Sequence, residues 1–276
     1  MPTIAYLGPK NTNTHVAALK RFGRWSKYVH APTVDDVFHA VERQQADYGV
    51  VPVENSLEGT VTHTLDRFID FLHSPVTIHG EMEQPIRHSL ILHRGTKVSD
   101  VEGVYSHPQA LAQCRQWLDQ HVPHATKRET HSTAEAVELI RDVRHARLAA
   151  IARAELARGG HTLHAVEIPE PRENRTRFLV LGLHEPARGR RNKTSILFAL
   201  KDAPGALHDA LVPFKRNRIN LTKIESRPSK RKAWEYLFFI DVEGHTSEPR
   251  MKRALKAVAC STSLLRILGS YPVATR

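Results

Sequence analysis

Apolar positions along the first two thirds of the chain follow two alternating periods. Thr3 to Leu7 is a short apolar run of strand type, and Thr14 to Phe22 repeats at helical spacing until Gly23. Thr33-Val34-Asp35-Asp36 resembles a capping box, and Val34, Val37, Phe38 and Val41 continue at helical intervals. Gly49 to Val53 reads as a buried strand, and Val61, Leu65, Phe68 and Leu72 form the next helical stripe. Val76 to Ile78, Ile86 to His93 and Val101 to Ser106 read as strands. Pro108 then opens a helix at the position where a missing N–H costs nothing. Ser132 with Glu135 repeats the capping box before Ala136 to Ile140, and Leu148 to Ala152 is another strand. The alternation predicts an α/β domain with mostly parallel strands.

The pattern breaks at Pro186 to Lys193, which is polar, basic and interrupted by Pro and Gly. Such a segment reads as a solvated linker. After it the order becomes β-α-β-β-α-β. The strands are Ser195 to Leu200, Ile219 to Arg227, Trp234 to Val242 and Leu264 to Gly269, with a polar turn at Pro228 to Lys232. The helices run from Gly205 to about Arg218 and from about Glu248 to Ala259. This is the ferredoxin-like plan of a small ligand-sensing module. The expected organisation is a domain over 1–185, a linker over 186–193 and a second domain over 194–273.

Composition narrows the function. A chain of 276 residues with 41% hydrophobic content can bury two cores. A formal charge of +11 points to anionic partners. No helix-turn-helix or aromatic-basic RNA-binding motif is present, so a small anionic metabolite is favoured over nucleic acid. Cys114 and Cys260 stand far apart, and there is no His-Glu-x-x-His run, so neither a metal nor another cofactor is expected. The N-terminus lacks a signal peptide's basic and apolar regions, and no apolar run reaches the ~18 residues of a membrane span. These features predict a cytoplasmic protein.

Chemistry concentrates at Glu173-Asn174-Arg175-Thr176-Arg177-Phe178, where a hydroxyl sits between two guanidinium groups at the start of a strand. Guanidinium forks hold carboxylates in bidentate fashion, and a hydroxyl can hydrogen-bond a leaving oxygen, so the run suits a dianionic substrate. Three turns rich in Ser, Thr and Asn also precede helices: Gly8 to Thr14, Glu54 to Thr60, and Thr130 to Thr133. Each is either a simple cap or one wall of a shared anion-binding cleft.

These motifs occur together with Tyr6-Leu7-Gly8-Pro9, Val51 to Gly59, Gly80-Glu81 with His88, and His107-Pro108-Gln109-Ala110. Pro204-Gly205-Ala206-Leu207, Ile224-Glu225-Ser226-Arg227-Pro228 and Leu268 to Pro272 complete the set. In this order the chain resembles a prephenate dehydratase with a C-terminal ACT regulatory domain. It resembles the monofunctional form, without a fused chorismate mutase. The resemblance implies a two-lobed, periplasmic-binding-protein-like catalytic domain followed by a βαββαβ ACT domain. It implies decarboxylation and dehydration of prephenate to phenylpyruvate in phenylalanine biosynthesis. Thr176, Arg177, Asn55 and Ser56 become the expected catalytic residues. Thr12, Thr14, Glu54, Thr60, Ser132, Thr133, Asn174 and Phe178 become the expected substrate contacts. Gly205-Ala206-Leu207, Asn220-Leu221 and Glu225-Ser226-Arg227-Pro228 are expected to bind phenylalanine at a subunit interface of a homodimer or homotetramer.

The pattern departs from the family at one turn. Asn11 stands for a glycine and Asn13 for an aromatic residue. Asn tolerates the left-handed backbone region, so the turn should survive. A polar side chain at position 13 leaves two alternatives open: an arogenate dehydratase, and a non-catalytic small-molecule sensor of the same architecture.

Overall fold

The structure, a computed structural model, describes residues 1–70, 72–142, 147–158, 162–169, 173–230 and 234–274. The first lobe is built from β1 (Thr3–Leu7), α1 (Asn13–Phe22), β2 (Lys27–Ala31), α2 (Val34–Glu42), β3 (Tyr48–Asn55), β4 (Gly59–Thr60), α3 (Thr62–Asp70) and β5 (Thr77–Pro85). The chain then crosses to a second lobe. This comprises β6 (Ser89–His93), β7 (Gly103–Ser106), α4 (Pro108–Gln113), α5 (Arg115–His121), β8 (Thr126–Glu129), α6 (Thr133–Asp142), β9 (Leu148–Ala152) and β10 (Leu163–Glu167). It returns to the first lobe through β11 (Arg175–Gly182), which inserts between β3 and β5. Two crossings between two sheets give the expected two-lobed plan.

The strands are not mostly parallel. β1 pairs in parallel with β2 and β3, and β7 with β8 and β9. The returning β11 runs antiparallel to β3 and β5, and β6 runs antiparallel to β9 and β10. Both sheets are therefore mixed. Apart from the short β4 beside β3, the antiparallel pairings involve the strands at the lobe crossings.

The C-terminal domain has the expected order: β12 (Asn192–Leu200), α7 (Ala206–Arg216), β13 (Leu221–Pro228), β14 (Tyr236–Glu243), α8 (Pro249–Ser261) and β15 (Thr262–Pro272). Its sheet order is β13-β14-β12-β15. Of the turn expected at Pro228 to Lys232, residues 231–232 lie outside the described residues. The basic linker is shorter than its composition predicts. Asn192 and Lys193 already belong to β12, and both are buried.

Strand alternation explains how this domain is held. One face of its sheet carries Ile196, Phe198, Ile240 and Val242 and packs on α7 and α8. The other face carries Leu197, Ala199, Leu237, Phe239, Leu268 and Tyr271. These join a single apolar core with Leu65, Phe68, Val76, Ile78 and Leu179 of the first lobe. The two domains thus share a core instead of hanging on a tether.

Gly269 marks a close approach between them: a Cβ there would lie 2.2 Å from the carbonyl oxygen of Ile78. A backbone oxygen cannot swing aside as a side-chain tip can. Gly269→Ala is therefore expected to cost about 1–3 kcal/mol of unfolding free energy. Denaturant titration of the purified variant measures it, and a midpoint equal to that of the unsubstituted protein would show that the interface relaxes freely.

Candidate active site

The cleft between the lobes is a cavity of about 230 Å³. The first lobe contributes Leu7, Gly8, Thr12, Asn13 and Thr14 from the β1–α1 turn, with Asn55 and Thr176 from paired strands. The second lobe contributes His107, Gln109, Ala110 and Gln113 around α4, and His131, Ser132 and Thr133 before α6. Ile86 and His88, at the crossing, close the floor. The three hydroxyl-rich regions thus reach one space, which no local pattern could establish.

Each turn is locally determined. Asn11 takes the left-handed conformation with φ 67°, as its tolerance allows. Thr12 caps α1: its Oγ1 accepts from the His15 N–H at 3.3 Å and donates to the Pro9 carbonyl at 3.0 Å. Ser132 Oγ accepts from the Glu135 N–H at 3.1 Å, and Glu135 accepts from the His131 N–H at 2.8 Å. Both helices thus aim their first turns at the cleft. First-turn N–H groups lack intrahelical partners and carry the positive end of the dipole, so they favour carboxylates. Among the described residues that line the cavity there is no Lys, Arg, Asp or Glu. Arg153 reaches across from the second lobe to the Asn11 carbonyl at 3.0 Å, placing a positive charge behind the turn.

Thr176 sits in an amide chain. Asn55 Nδ2 donates to Thr176 Oγ1 at 3.0 Å and to Asn174 Oδ1 at 2.8 Å. Asn55 Oδ1 accepts from the N–H groups of Leu57 at 2.9 Å and Glu58 at 3.1 Å, which fixes the orientation of the amide. Asn174 Nδ2 donates to Gln113 Oε1 at 3.1 Å, and Gln113 Nε2 donates to Glu58 at 2.9 Å. Because Thr176 Oγ1 accepts from Asn55, its own proton remains available to a ligand in the cleft. Burial holds the His107 imidazole below its ordinary value against a weaker opposing pull from Glu129. It is therefore neutral at neutral pH.

The strand register redistributes the expected site residues. Successive side chains point to opposite faces, so Thr176 faces the cleft and Arg177 faces away. Arg177 donates to Asp241 at 2.8 Å and pairs with Glu54 at 3.4 Å and Glu81 at 3.5 Å. Burial opposes its charge, but the carboxylates of Asp241, Glu81 and Glu54 outweigh burial and hold it protonated. Arg175 pairs with Glu173 at 2.8 Å and Glu83 at 3.2 Å. Neither guanidinium lines the cleft. Glu54 and Thr60 also leave the site, binding Lys223 at 3.0 Å and Glu225 at 2.9 Å in the C-terminal domain. Ser56 closes the strand end, donating to the Glu173 carbonyl at 3.1 Å and accepting from the Arg175 N–H at 2.9 Å. Phe178 is core, packed with Ile4, Tyr6, Ala17 and Val50.

Among the expected effector contacts, Glu225 and Arg227 face the first lobe. Arg227 donates twice to Asp66, at 3.0 and 3.3 Å. Ser226 and Pro228 face outward beside the exposed Ile224. Gly205, with φ 78°, precedes the first turn of α7, where Ala206 and Leu207 lie; Leu221 begins β13 and Asn220 immediately precedes it.

Sequence reading overlooked Gln113 and Gln109 as cleft residues. Gln113 lies one turn beyond Gln109 in the same short helix, a spacing that puts both on one face.

A prephenate dehydratase family model matches residues 4–186, and an ACT domain model matches residues 194–260. A bifunctional chorismate mutase/prephenate dehydratase from Aquifex aeolicus is 48% identical over 98% of this chain and 74% of its own length. A prephenate dehydratase from Arthrobacter aurescens, solved in complex with L-Phe, superposes with a TM-score of 0.87. It is 32% identical over 98% of this chain and 89% of that one. A protein described as a novel type of quorum-quenching acylase has a TM-score of 0.83 and 26% identity, over 98% of this chain and 97% of its own. With these matches and a cleft built around the Thr176 hydroxyl, the chain belongs to the prephenate dehydratase family, which decarboxylates and dehydrates prephenate to phenylpyruvate, and it carries an ACT regulatory domain.

Proposed function

We propose that Thr176 assists departure of the hydroxyl of prephenate, while the helix N-termini at Thr12–Thr14 and Ser132–Thr133 hold its carboxylates. The observation that carries this reading is the Asn55-to-Thr176 hydrogen bond of 3.0 Å. It orients the hydroxyl and leaves its proton for the substrate oxygen. Loss of carbon dioxide and water creates an aromatic ring, so no strong base is required. A threonine hydroxyl is too weak an acid to transfer a proton early. Its role is a hydrogen bond that strengthens as negative charge develops on the leaving oxygen. Asn174 and Gln113 hold the hydroxyl's partner and tie the two lobes around the substrate.

The cleft favours prephenate over arogenate. Arogenate carries an ammonium group, and among the described lining residues no carboxylate is available to pair with it. Phenylalanine is the proposed effector, bound where α7 begins at Gly205, Ala206 and Leu207, with Asn220, Leu221, Ser226 and Pro228 alongside. The ring would lie between ACT domains of a homodimer or homotetramer, and the enzyme would work in the cytoplasm. Incubating the purified protein with prephenate and following phenylpyruvate tests the reading. We expect turnover, at least tenfold slower use of arogenate, and a lower rate with millimolar phenylalanine. Absence of phenylpyruvate would leave only a binding protein.

A further inference from the structure

Asn55 and Thr176 are opposite one another in the β3–β11 ladder, and so are Glu54 and Arg177. The alternation of strands gives this pair of rungs two faces. On the cleft face, Asn55 holds the Thr176 hydroxyl at 3.0 Å. On the reverse face, Glu54 and Arg177 pair at 3.4 Å and contact no part of the cleft. Both reverse-face residues are gripped by the ACT domain. Lys223 of β13 binds Glu54 at 3.0 Å, and Asp241 of β14 binds Arg177 at 2.8 Å.

The grip is built from behind as well. Asp241 accepts from Ser195 Oγ at 2.6 Å, and Ser195 meets the Tyr271 hydroxyl at 2.7 Å. Glu81, beside Arg177, is held at 2.8 and 2.9 Å by Lys193 from β12. Asp241, Ser195, Lys193 and Glu81 are all buried, so these pairs are poorly screened and sensitive to small displacements. β13 carries further contacts on the same face, through Glu225 to Thr60 and Arg227 to Asp66. Its outward face holds Ser226 and Pro228, two of the proposed effector contacts.

We propose that the Glu54–Arg177 pair is the coupling element between the ACT domain and the reaction hydroxyl. Arg177 and Glu54 are positioning residues: through the backbone they set the spacing of Asn55 and Thr176. A shift of β13 and β14 on effector binding moves the reverse face of the two rungs, and the cleft face moves with it. This inference rests on the reading of phenylalanine as effector. A ligand at the outward face of β13 thereby acquires a differential affinity for two arrangements of the site, as allosteric coupling requires.

The test uses the full-length protein with Lys223→Gln and with the near-isosteric Asp241→Asn. Both variants keep Glu54 and Arg177 and alter only the ACT side. Calorimetry with phenylalanine and steady-state kinetics with prephenate are run on each. We expect phenylalanine affinity within about threefold of the unsubstituted protein, but half-inhibition shifted by more than tenfold. We also expect kcat for Asp241→Asn without effector to fall several-fold at unchanged KM in the folded fraction, beside the lower denaturation midpoint that loss of a buried charge partner brings. A merely structural contact would lower the midpoint and leave the kinetics of the folded fraction intact. Variants that fold, bind phenylalanine and are inhibited like the unsubstituted protein would overturn the proposal. If the unsubstituted enzyme turns over prephenate and ignores phenylalanine, the effector assignment falls separately. The positioning role is then decided by kcat of Asp241→Asn, and an unchanged kcat overturns it.

Discussion

Thr176→Val should lower kcat for prephenate by about 10²-fold or more, the lower end of what a positioned proton donor typically contributes. Valine keeps the shape and branching of threonine, so the strand and the packing of its neighbours should persist. What disappears is the one hydroxyl that Asn55 orients toward the cleft at 3.0 Å. That contact strengthens only as the leaving oxygen gains charge, so kcat should fall while KM changes by less than about threefold. Steady-state kinetics on protein with an unchanged denaturation midpoint is the measurement. Full activity in the variant would remove Thr176 from the mechanism and return attention to the neighbouring histidines. The variant also leaves Asn55 Nδ2 one partner short, although Asn174 still accepts from it at 2.8 Å. The cost to stability is therefore small beside the cost to turnover.

Arg177→Met should instead have its largest effect on stability. The guanidinium is the shared cation of Asp241, Glu54 and Glu81 at the domain interface. Removing it leaves buried carboxylates facing one another. Breaking a buried pair by deleting one partner typically costs about 3–5 kcal/mol. Lys193 still neutralises Glu81 at 2.8 Å, so Asp241 bears most of the loss. Denaturant unfolding should show the destabilisation, and KM for prephenate should stay within about threefold because Arg177 does not line the cleft. A variant of unchanged stability with a KM raised tenfold or more would mean that Arg177 grips substrate after all.

Much of the fold was legible along the chain. Strands buried on both faces, such as Gly49 to Val53 and Leu148 to Ala152, are continuous apolar runs, and their identity does not depend on context. Helix starts at Thr33, Pro108 and Ser132 carry their own caps, which are local chemistry. Four strands escaped the reading, the two-residue β4 among them. β8 is Thr126–Glu129, four exposed polar residues, β2 is an edge strand with one buried position, and β10 is an edge strand of mixed pattern. Edge strands hydrogen-bond through backbone alone and leave little apolar record.

The candidate site divides along the same physical line. Asn55, Thr176, Asn174 and the capping hydroxyls were identifiable because their chemistry is written in the side chains. Which of them meet was not. Thr176 and Arg177 are adjacent in the chain and serve different domains, because one residue of strand rotates a side chain from cleft to interface. Lys193 looked like part of a solvated basic linker, yet tertiary packing buries it against Glu81. Its charge is the same in either setting; only the position of Glu81 distinguishes them. Composition therefore determined that anions matter to this protein, and local pattern determined the elements and caps. Tertiary structure alone decided which cations serve the domain interface, and that the cleft is lined by helix ends instead of guanidinium groups.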